Sequence, residues 1–238
     1  MAGRLAAVER LILWDIDGTL VRAGGLAGRA FASAVETVTG VQATDHGVSF
    51  GGKTDPQIAR EILTVLDVHD RAGEYLPAIV SELERTIAAG RDEMRATGVV
   101  LPGVPALLDA LAASGAVQTV LTGNTAANAA CKIDAFDLRP RLDLEIGAFG
   151  SDHHDRNELV PVAVGRAEER YGAVDMARVW VIGDTPFDAA CARAGGVHCL
   201  LVASGHSPRA ALEGAGADHV VDDLADTDAI LGVLGVRA

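Results

Sequence analysis

Two aspartates near the start of the chain have the type and spacing of a candidate cation site. Asp15 and Asp17 follow the apolar run Leu11–Trp14 and precede Gly18 and Thr19. Carboxylates one residue apart repel each other, so they coexist most readily with a cation between them or with different protonation duties. A hard divalent ion such as Mg²⁺ prefers oxygen ligands of this kind. The alternative is a simple Asp-Gly turn after a strand.

The segment Thr122-Gly123-Asn124 follows a second apolar run. It offers a hydroxyl, backbone amides and a carboxamide, which are groups that hold anionic oxygens. The same three residues are also typical of a helix cap, so the segment alone does not establish a function.

Two further carboxylates follow a third apolar run, Val179–Ile182. Asp184 is a candidate metal ligand, and Asp188 is a candidate for holding the metal or its waters. Pro186 suits the first turn of a helix that starts here. Capping by Asp184 or Thr185 is an alternative that remains compatible with metal binding.

Apolar runs and helical patterns alternate from about residue 100 onward. The predicted strands are Leu11–Trp14, Val117–Leu121, Leu144–Phe149, Val179–Ile182, His198–Val202 and His219–Val221. The predicted helices are Val104–Ala113, Ala126–Phe136, Glu158–Tyr171, Phe187–Ala194, Pro208–Ala215 and Leu224–Leu234. This alternation predicts an α/β fold with a doubly wound parallel sheet, whose ligand site lies at the carboxyl ends of the strands.

Residues 23–97 interrupt the alternation with three amphipathic helices and no clear strand. The predicted helices are Ala27–Thr39, Pro56–Leu66 and Arg71–Met94. We expect an inserted helical cap domain at 23–97 and a catalytic core formed by 1–22 and 98–238. Glycines at both junctions suggest hinges.

The composition excludes some classes of partner. The chain has 238 residues, a formal net charge of −13 and a pI near 4.8, which argues against nucleic acid or an anionic membrane surface as a partner. The sequence predicts no membrane span and no leader, so a cytoplasmic location is expected. Its three cysteines have no metal-ligand spacing and are expected to be reduced. Nothing in the pattern indicates an oligomeric state.

The three strand-end motifs together resemble the haloacid dehalogenase superfamily. The matching segments are Asp15-Ile16-Asp17-Gly18-Thr19-Leu20, Thr122-Gly123-Asn124 and Gly183-Asp184-Thr185-Pro186-Phe187-Asp188. The similarity is to the phosphatase branch with a helical cap after the first strand, which includes phosphoglycolate phosphatases, and it extends over essentially the whole chain.

The resemblance implies a role for each matched residue. Asp15 would be the nucleophile that is transiently phosphorylated, and Asp17 would act as general acid and then base. Thr122 would bind the transferring phosphoryl group, with Gly123 and Asn124 beside it. The implied Mg²⁺ ligands are Asp15, Asp17, Asp184 and Asp188.

The third motif of the family departs from the usual pattern in this chain. That motif commonly provides a lysine, and the expected region, residues 150–159, has none. Arg156 is the natural substitute, because a permanent cation there would pair with both Asp15 and the phosphoryl group. A surface arginine at a helix start is the alternative.

Within the insertion, Gly51–Pro56 combines a glycine turn with a helix start. Its spacing does not fit a nucleotide-binding P-loop. The segment resembles the cap loop that related phosphatases present to substrate, so Lys53 and Thr54 are candidate substrate contacts. A plain helix cap explains the same residues.

The expected function is Mg²⁺-dependent hydrolysis of a small phosphorylated metabolite, with phosphoglycolate as the family-level example. A phosphomutase of the same superfamily is the nearest alternative, and a phosphate-accepting receiver or binding module is an alternative from another class. Asp17 argues against a dehalogenase, which has no leaving alkoxide to protonate. A phosphonate hydrolase would need Lys53 as a Schiff-base nucleophile, whereas this lysine lies in a turn suited to capping.

Overall fold

A five-stranded parallel sheet brings the candidate residues to one edge in the computed structural model, which describes residues 8–236. The strands are β1 (Leu11–Trp14), β2 (Val21–Arg22), β3 (Val99–Val100), β4 (Val117–Val120), β5 (Val179–Gly183), β6 (His198–Val202) and β7 (His219–Val221). The main sheet has the order β4-β1-β5-β6-β7, and every pair in it is parallel. The predicted doubly wound α/β class is confirmed.

Ten α-helices in residues 8–236 cover and extend this sheet. They are α1 (Leu26–Thr39), α2 (Asp55–Val65), α3 (Ala72–Ala89), α4 (Arg91–Thr97), α5 (Val104–Ala113), α6 (Ala126–Ala135), α7 (Leu159–Tyr171), α8 (Pro186–Gly195), α9 (Arg209–Glu213) and α10 (Thr227–Val233). Among the described residues, no helix is both long and apolar enough to cross a bilayer.

The central strands are apolar on both faces because helices pack on both sides of the sheet. In β1, Ile12 and Trp14 join the core beneath α5, α6 and α10, whereas Leu11 and Leu13 join the core beneath α7, α8 and α9. Strand β5 alternates in the same way. This two-sided burial fixes the register of β1, and therefore the position of the residues that follow it.

Helices α1–α4 form a separate apolar cluster between β2 and β3. The two short strands pair antiparallel where the chain leaves and re-enters the sheet region. Sequence patterning missed this pair because each strand has only two residues. Gly98 is required beside it, because a Cβ there would lie 2.5 Å from the Arg22 carbonyl oxygen. The division of the chain at residues 22/23 and 97/98 stays a prediction, and residues 1–7 and 237–238 of the predicted core lie outside the described part.

Two sequence predictions about elements were wrong. Residues 144–149 are not a strand: Leu144–Ile146 form a 3₁₀ turn capped by the Asp143 side chain, and a single bridge joins Ala148 to Leu121. The predicted helix Arg71–Met94 is two helices that meet at Gly90. A Cβ at Gly90 would meet the Leu26 side chain at 2.7 Å, so close packing of α1 explains the glycine.

The three cysteines are free, as expected from their spacing. Cys191 and Cys199 are buried and Cys131 is half-buried. Burial raises the pKa of the Cys191 thiol to about 12, so this residue remains protonated at neutral pH.

Candidate active site

The residues that follow β1, β4 and β5 line one cavity of about 880 Å³. Asp15 is buried at the end of β1, where its backbone N–H donates to Ile182 O at 2.8 Å. Thr122 follows β4 and Asp184 follows β5, and both are buried. Cap residues, including Lys53 and Phe50, form the opposite wall of the cavity. The predicted convergence of strand ends is therefore present.

Three buried carboxylates meet at this edge of the sheet. Oxygen atoms of Asp15, Asp184 and Asp188 lie within 4.8 Å of one another. Backbone packing confines Asp184: a Cβ at Gly205 would lie 1.6 Å from Asp184 Oδ2, and one at Gly18 would lie 2.4 Å from the same atom. Only glycine allows the two loops to approach this carboxylate so closely.

Burial and mutual repulsion make ionisation of this cluster costly. Burial, followed by the charges of Asp15 and Asp188, raises the pKa of Asp184 to about 9. Burial also raises the pKa of Asp15 to about 6, although Arg156 opposes the shift. Asp15 is therefore mostly ionised at neutral pH, as a nucleophile must be, whereas Asp184 is mostly protonated without further positive charge.

Arg156 provides the positive charge that the sequence analysis assigned to it. It begins the 3₁₀ turn Arg156–Glu158 before α7 and is 5% exposed. Its Nη2 donates to Asp15 Oδ1 at 2.9 Å and to Asp188 Oδ1 at 2.5 Å. Burial opposes the charge of Arg156, but Asp188 and Asp15 more than compensate, and its pKa lies above the ordinary value. The geometry therefore supports Arg156 as the replacement cation.

Asp188 has both carboxylate oxygens engaged by the protein. Oδ1 accepts from Arg156, and Oδ2 accepts from the backbone N–H and the hydroxyl of Thr185 at 3.0 and 2.7 Å. Asp188 lies in the first turn of α8, within a capping box with Thr185. Asp188 lies in the acidic cluster, but both of its oxygens are already bonded by Arg156 and Thr185.

Asp17 lies apart from the three clustered carboxylates. Its side chain is 43% exposed, and its Oδ2 accepts from Lys132 Nζ at 2.5 Å and from Asn124 Nδ2 at 2.8 Å. The four-carboxylate metal site predicted from the sequence is therefore represented by three side chains. Asp17 instead faces the cavity, where an acid or base would act.

The loop after β4 presents a hydroxyl to the cavity. Thr122 Oγ1 accepts from the backbone N–H of Asn124 at 3.2 Å and from Asn124 Nδ2 at 2.8 Å. Because the oxygen accepts twice, its own proton is directed elsewhere, and none of residues 8–236 accepts it. Gly123 lies against the cap loop, since a Cβ there would be 2.0 Å from Lys53 O.

The cap loop contacts the core through residues that differ in their exposure to the cavity. Lys53 lines the cavity, and its Nζ pairs with Glu61 Oε2 at 2.5 Å. Thr54 does not line it: its hydroxyl donates to His154 O at 2.7 Å and caps α2. The helix-cap interpretation therefore fits Thr54, and a substrate contact has support only at Lys53.

Asp55, in the same Gly51–Pro56 segment, fastens this loop to the core. Its buried carboxylate accepts from the Thr125 backbone N–H at 2.9 Å and from Asn128 Nδ2 at 2.8 Å. Its own N–H donates to Gly123 O at 2.7 Å. The loop after β4 is therefore held on one side by β1 and on the other by the cap.

Sequence reasoning missed Lys132. It lies eight residues after Asn124, and its side chain is buried against Asp17. The available signal was the helical spacing of Asn128 and Lys132, which puts both on one face of α6 directly after the polar loop.

The acidic cluster has the chemistry of a divalent-cation site. Its donors are all carboxylate oxygens, and among the described residues Arg156 is the cation bonded to it. Asp184 has no cationic partner in residues 8–236, where its recorded hydrogen bond comes from Thr19 at 3.3 Å. Three carboxylates against one guanidinium leave negative charge that a hard divalent ion would balance, so the residues present fit Mg²⁺.

The raised pKa of Asp184 makes a prediction about stability in metal-free buffer. An aspartate with a folded-state pKa near 9 and an ordinary value of 3.8 binds a proton in the folded state that the unfolded chain has lost. Its contribution to folding stability therefore falls as pH rises from about 4 to about 9. We expect the free energy of unfolding of Asp184→Asn to equal that of wild type near pH 4 and to exceed it at pH 8.

Urea unfolding in chelator at several pH values measures this difference. Asp70→Asn is a suitable control, because that side chain is 97% exposed and lies outside the cavity. A constant stability difference between Asp184→Asn and wild type across this pH range would contradict the charge imbalance described above.

Comparisons with known proteins agree with this geometry. Residues 158–227 match the family model described as HAD-hydrolase-like. No curated protein matches the chain.

Several solved structures share the fold over nearly the whole chain. A predicted phosphoglycolate phosphatase from Haemophilus somnus 129pt has 19% identity and a TM-score of 0.69, over 93% of this chain and 97% of that one. CbbY from Rhodobacter sphaeroides, solved in complex with phosphate, has 19% identity and a TM-score of 0.63, over 95% and 98%. A candidate β-phosphoglucomutase from Thermotoga maritima has 18% identity and a TM-score of 0.60, over 94% and 99%.

These similarities extend across both the sheet and the helices between β2 and β3. The segment that matches the family model contains Asp184 and Asp188, and the solved structures share the fold of this chain.

Proposed function

We propose that the protein hydrolyses a small phosphate monoester, with Mg²⁺, through a phosphorylated aspartate at position 15. The observation that carries the proposal is the arrangement around Asp15. This buried carboxylate is paired with Arg156 and lies directly after β1, in a cavity that Thr122 and Asp17 also line. The arrangement joins a nucleophile, a cation, a hydroxyl donor and an acid.

In the first step, a carboxylate oxygen of Asp15 attacks phosphorus and the bond to the alcohol oxygen breaks. Asp17 gives its proton to that oxygen, so that the alcohol leaves neutral. The Thr122 hydroxyl and the Gly123 backbone N–H would donate to the phosphoryl oxygens, and Arg156 would offset their charge. Asp15 is left as an acyl phosphate.

In the second step, a water molecule attacks the same phosphorus atom and the bond to the Asp15 oxygen breaks. Asp17, now ionised, takes a proton from that water. Inorganic phosphate leaves, Asp15 returns to its carboxylate form, and Asp17 is protonated for the next cycle. The overall reaction consumes one ester and one water and yields one alcohol and one phosphate.

Asp15 and Asp184 would hold Mg²⁺, with Asp188 beside them, and the ion would neutralise phosphoryl oxygens when an anionic nucleophile approaches an anionic ester. The raised pKa of Asp184 supports this assignment, because a divalent ion would favour the ionised form of that carboxylate.

We also propose that residues 23–97 act as a cap over the cavity. The contacts of Asp55 with Thr125 and Asn128 hold the cap loop on the core, which encloses the space beside Asp15. Release of these contacts would open the cavity for product to leave. The cap wall would then select the alcohol part of the substrate, with Lys53 as its cationic group. The substrate named for the Haemophilus somnus neighbour, phosphoglycolate, is the first member of that class to test.

The similarity to a candidate β-phosphoglucomutase supports phosphoryl transfer to a second alcohol as the alternative reaction. Both reactions share the acyl phosphate on Asp15 and differ in what accepts the phosphoryl group. A receiver module would instead retain the acyl phosphate. Release of inorganic phosphate therefore separates hydrolysis from both alternatives.

We expect purified protein to release phosphate from one or more small phosphate monoesters when Mg²⁺ is present. This release should cease when a chelator is added. Asp15→Asn should lower turnover by roughly three orders of magnitude or more, because the nucleophile is lost. Asp70→Asn is the matched control and should retain wild-type turnover. Phosphate release that survives Asp15→Asn would contradict the proposal.

The replacement cation makes a separate prediction. Arg156→Lys should retain metal-dependent turnover at about a tenth to a hundredth of the wild-type rate, because the shorter lysine keeps the charge but does not reproduce the position of the Nη2 atom that bonds both Asp15 and Asp188. Arg156→Met should lose at least a further tenfold. The control is Arg166→Met, which removes an ion-paired arginine of α7 that lies outside the cavity. Equal turnover in Arg156→Met and wild type would exclude Arg156 from the reaction.

A further inference from the structure

The chain uses lysine at two positions, and both line the same cavity. Twenty residues are Lys or Arg, yet Lys53 and Lys132 are the two lysines among them. Lys132 is 2% exposed, which is rare for a lysine unless a specific partner holds it. Neither the strand-end motifs nor the acidic cluster accounts for this residue.

Lys132 forms a closed set of hydrogen bonds with two residues of the catalytic loops. Its Nζ donates to Asp17 Oδ2 at 2.5 Å and to Asn124 Oδ1 at 2.7 Å. Asn124 Nδ2 donates to the same Asp17 oxygen at 2.8 Å. The side chain thus fixes the amide orientation of Asn124 and the rotamer of Asp17 together.

The position of α6 makes this possible. Thr125 caps the helix directly after Asn124, so the register of Lys132 relative to that loop is set by the helix itself. A compact ammonium with three donors can bridge two oxygens that approach from different directions, which a planar guanidinium does less well.

The contacts distinguish the two oxygens of Asp17. Oδ2 accepts from two donors, whereas no group in residues 8–236 donates to Oδ1. A proton on Oδ2 would face two N–H donors, so the proton that Asp17 exchanges belongs on Oδ1. The side chain is 43% exposed on the cavity, which leaves Oδ1 accessible to a substrate.

We infer that Lys132 is a positioning residue for the acid–base step: with Asn124, it holds Oδ2 of Asp17 so that Oδ1 meets the leaving oxygen and then the attacking water. This inference rests on the proposed function. It assigns to Lys132 no contact with the phosphoryl group.

A comparison of leaving groups separates this role from a general loss of activity. The nitrophenolate of p-nitrophenyl phosphate leaves without a proton, whereas the alkoxide of an alkyl phosphate needs one. We expect Lys132→Met to lower kcat/KM roughly 100-fold for the alkyl phosphate that wild type hydrolyses fastest, and less than about tenfold for p-nitrophenyl phosphate. Lys132→Arg should recover part of the alkyl phosphate activity.

A double-mutant cycle tests whether Lys132 acts through Asp17. Lys132→Met should add almost nothing to the loss caused by Asp17→Asn, because the group that it positions is already gone. Lys53→Met is the matched control, since it removes the other lysine of the cavity and its loss should add to that of Asp17→Asn. Additive losses for Lys132→Met, or equal losses on both esters, would overturn the inference.

The same cycle measured on thermal unfolding does not depend on activity. Non-additive changes in Tm for Lys132→Met and Asp17→Asn are expected if the two side chains hold each other, and additive changes would overturn that contact. Coupling in Tm without coupling in kcat/KM would make Lys132 a structural ion pair and would also overturn the positioning role. If Lys132→Met does not fold, Lys132→Gln enters the cycle. Absence of any ester hydrolysis by wild type would count against the proposed function, while the Tm cycle would still decide the contact.

Discussion

The pairing of Arg156 with two buried carboxylates is the interaction on which the rest of the site depends. Asp15, Asp184 and Asp188 are all buried, and their oxygen atoms lie within 4.8 Å of one another, an arrangement that electrostatic repulsion opposes. One guanidinium offsets part of that repulsion and bonds Asp15 and Asp188 directly. The repulsion that Arg156 does not offset helps to raise the pKa of Asp184, and this raised pKa is the feature that most favours a divalent ion.

The fold accommodates this cluster because the buried strands hold the backbone directly before the acidic residues in place. The apolar residues of β1 are buried on both faces, and hydrogen bonds from Asp15 N and Leu121 N continue the pairing one residue beyond the strand ends. Asp15 therefore has little freedom to withdraw from its neighbours. The Asp17 side chain, two residues later, bonds a different cation, Lys132 of α6. Separate cations thus give the two aspartates separate environments, as separate roles for nucleophile and acid require.

Much of the site was predictable because parallel strands bring their carboxyl ends to one edge. Asp15, Thr122 and Asp184 could be placed from short motifs at apolar run ends, and Arg156 from the resemblance that expects a cation within residues 150–159. Lys132 could not, because it belongs to the helix after the motif, and its partner is determined only when α6 packs beside the first loop. The break at Gly90 and the turn at Leu144–Ile146 were missed for a similar reason, since close packing of Leu26 and the cap by Asp143 are not visible in apolar periodicity.

The central claim is that Asp15 carries the phosphoryl group during turnover, and chemical trapping tests it most directly. Acid quenching during hydrolysis, followed by borohydride reduction, converts an aspartyl phosphate into a primary alcohol that peptide mass spectrometry locates. The account predicts that this alcohol forms at position 15 and requires both ester and Mg²⁺. Reduction at Asp17, Asp184 or Asp188 instead, or turnover with no reduced peptide, would contradict it.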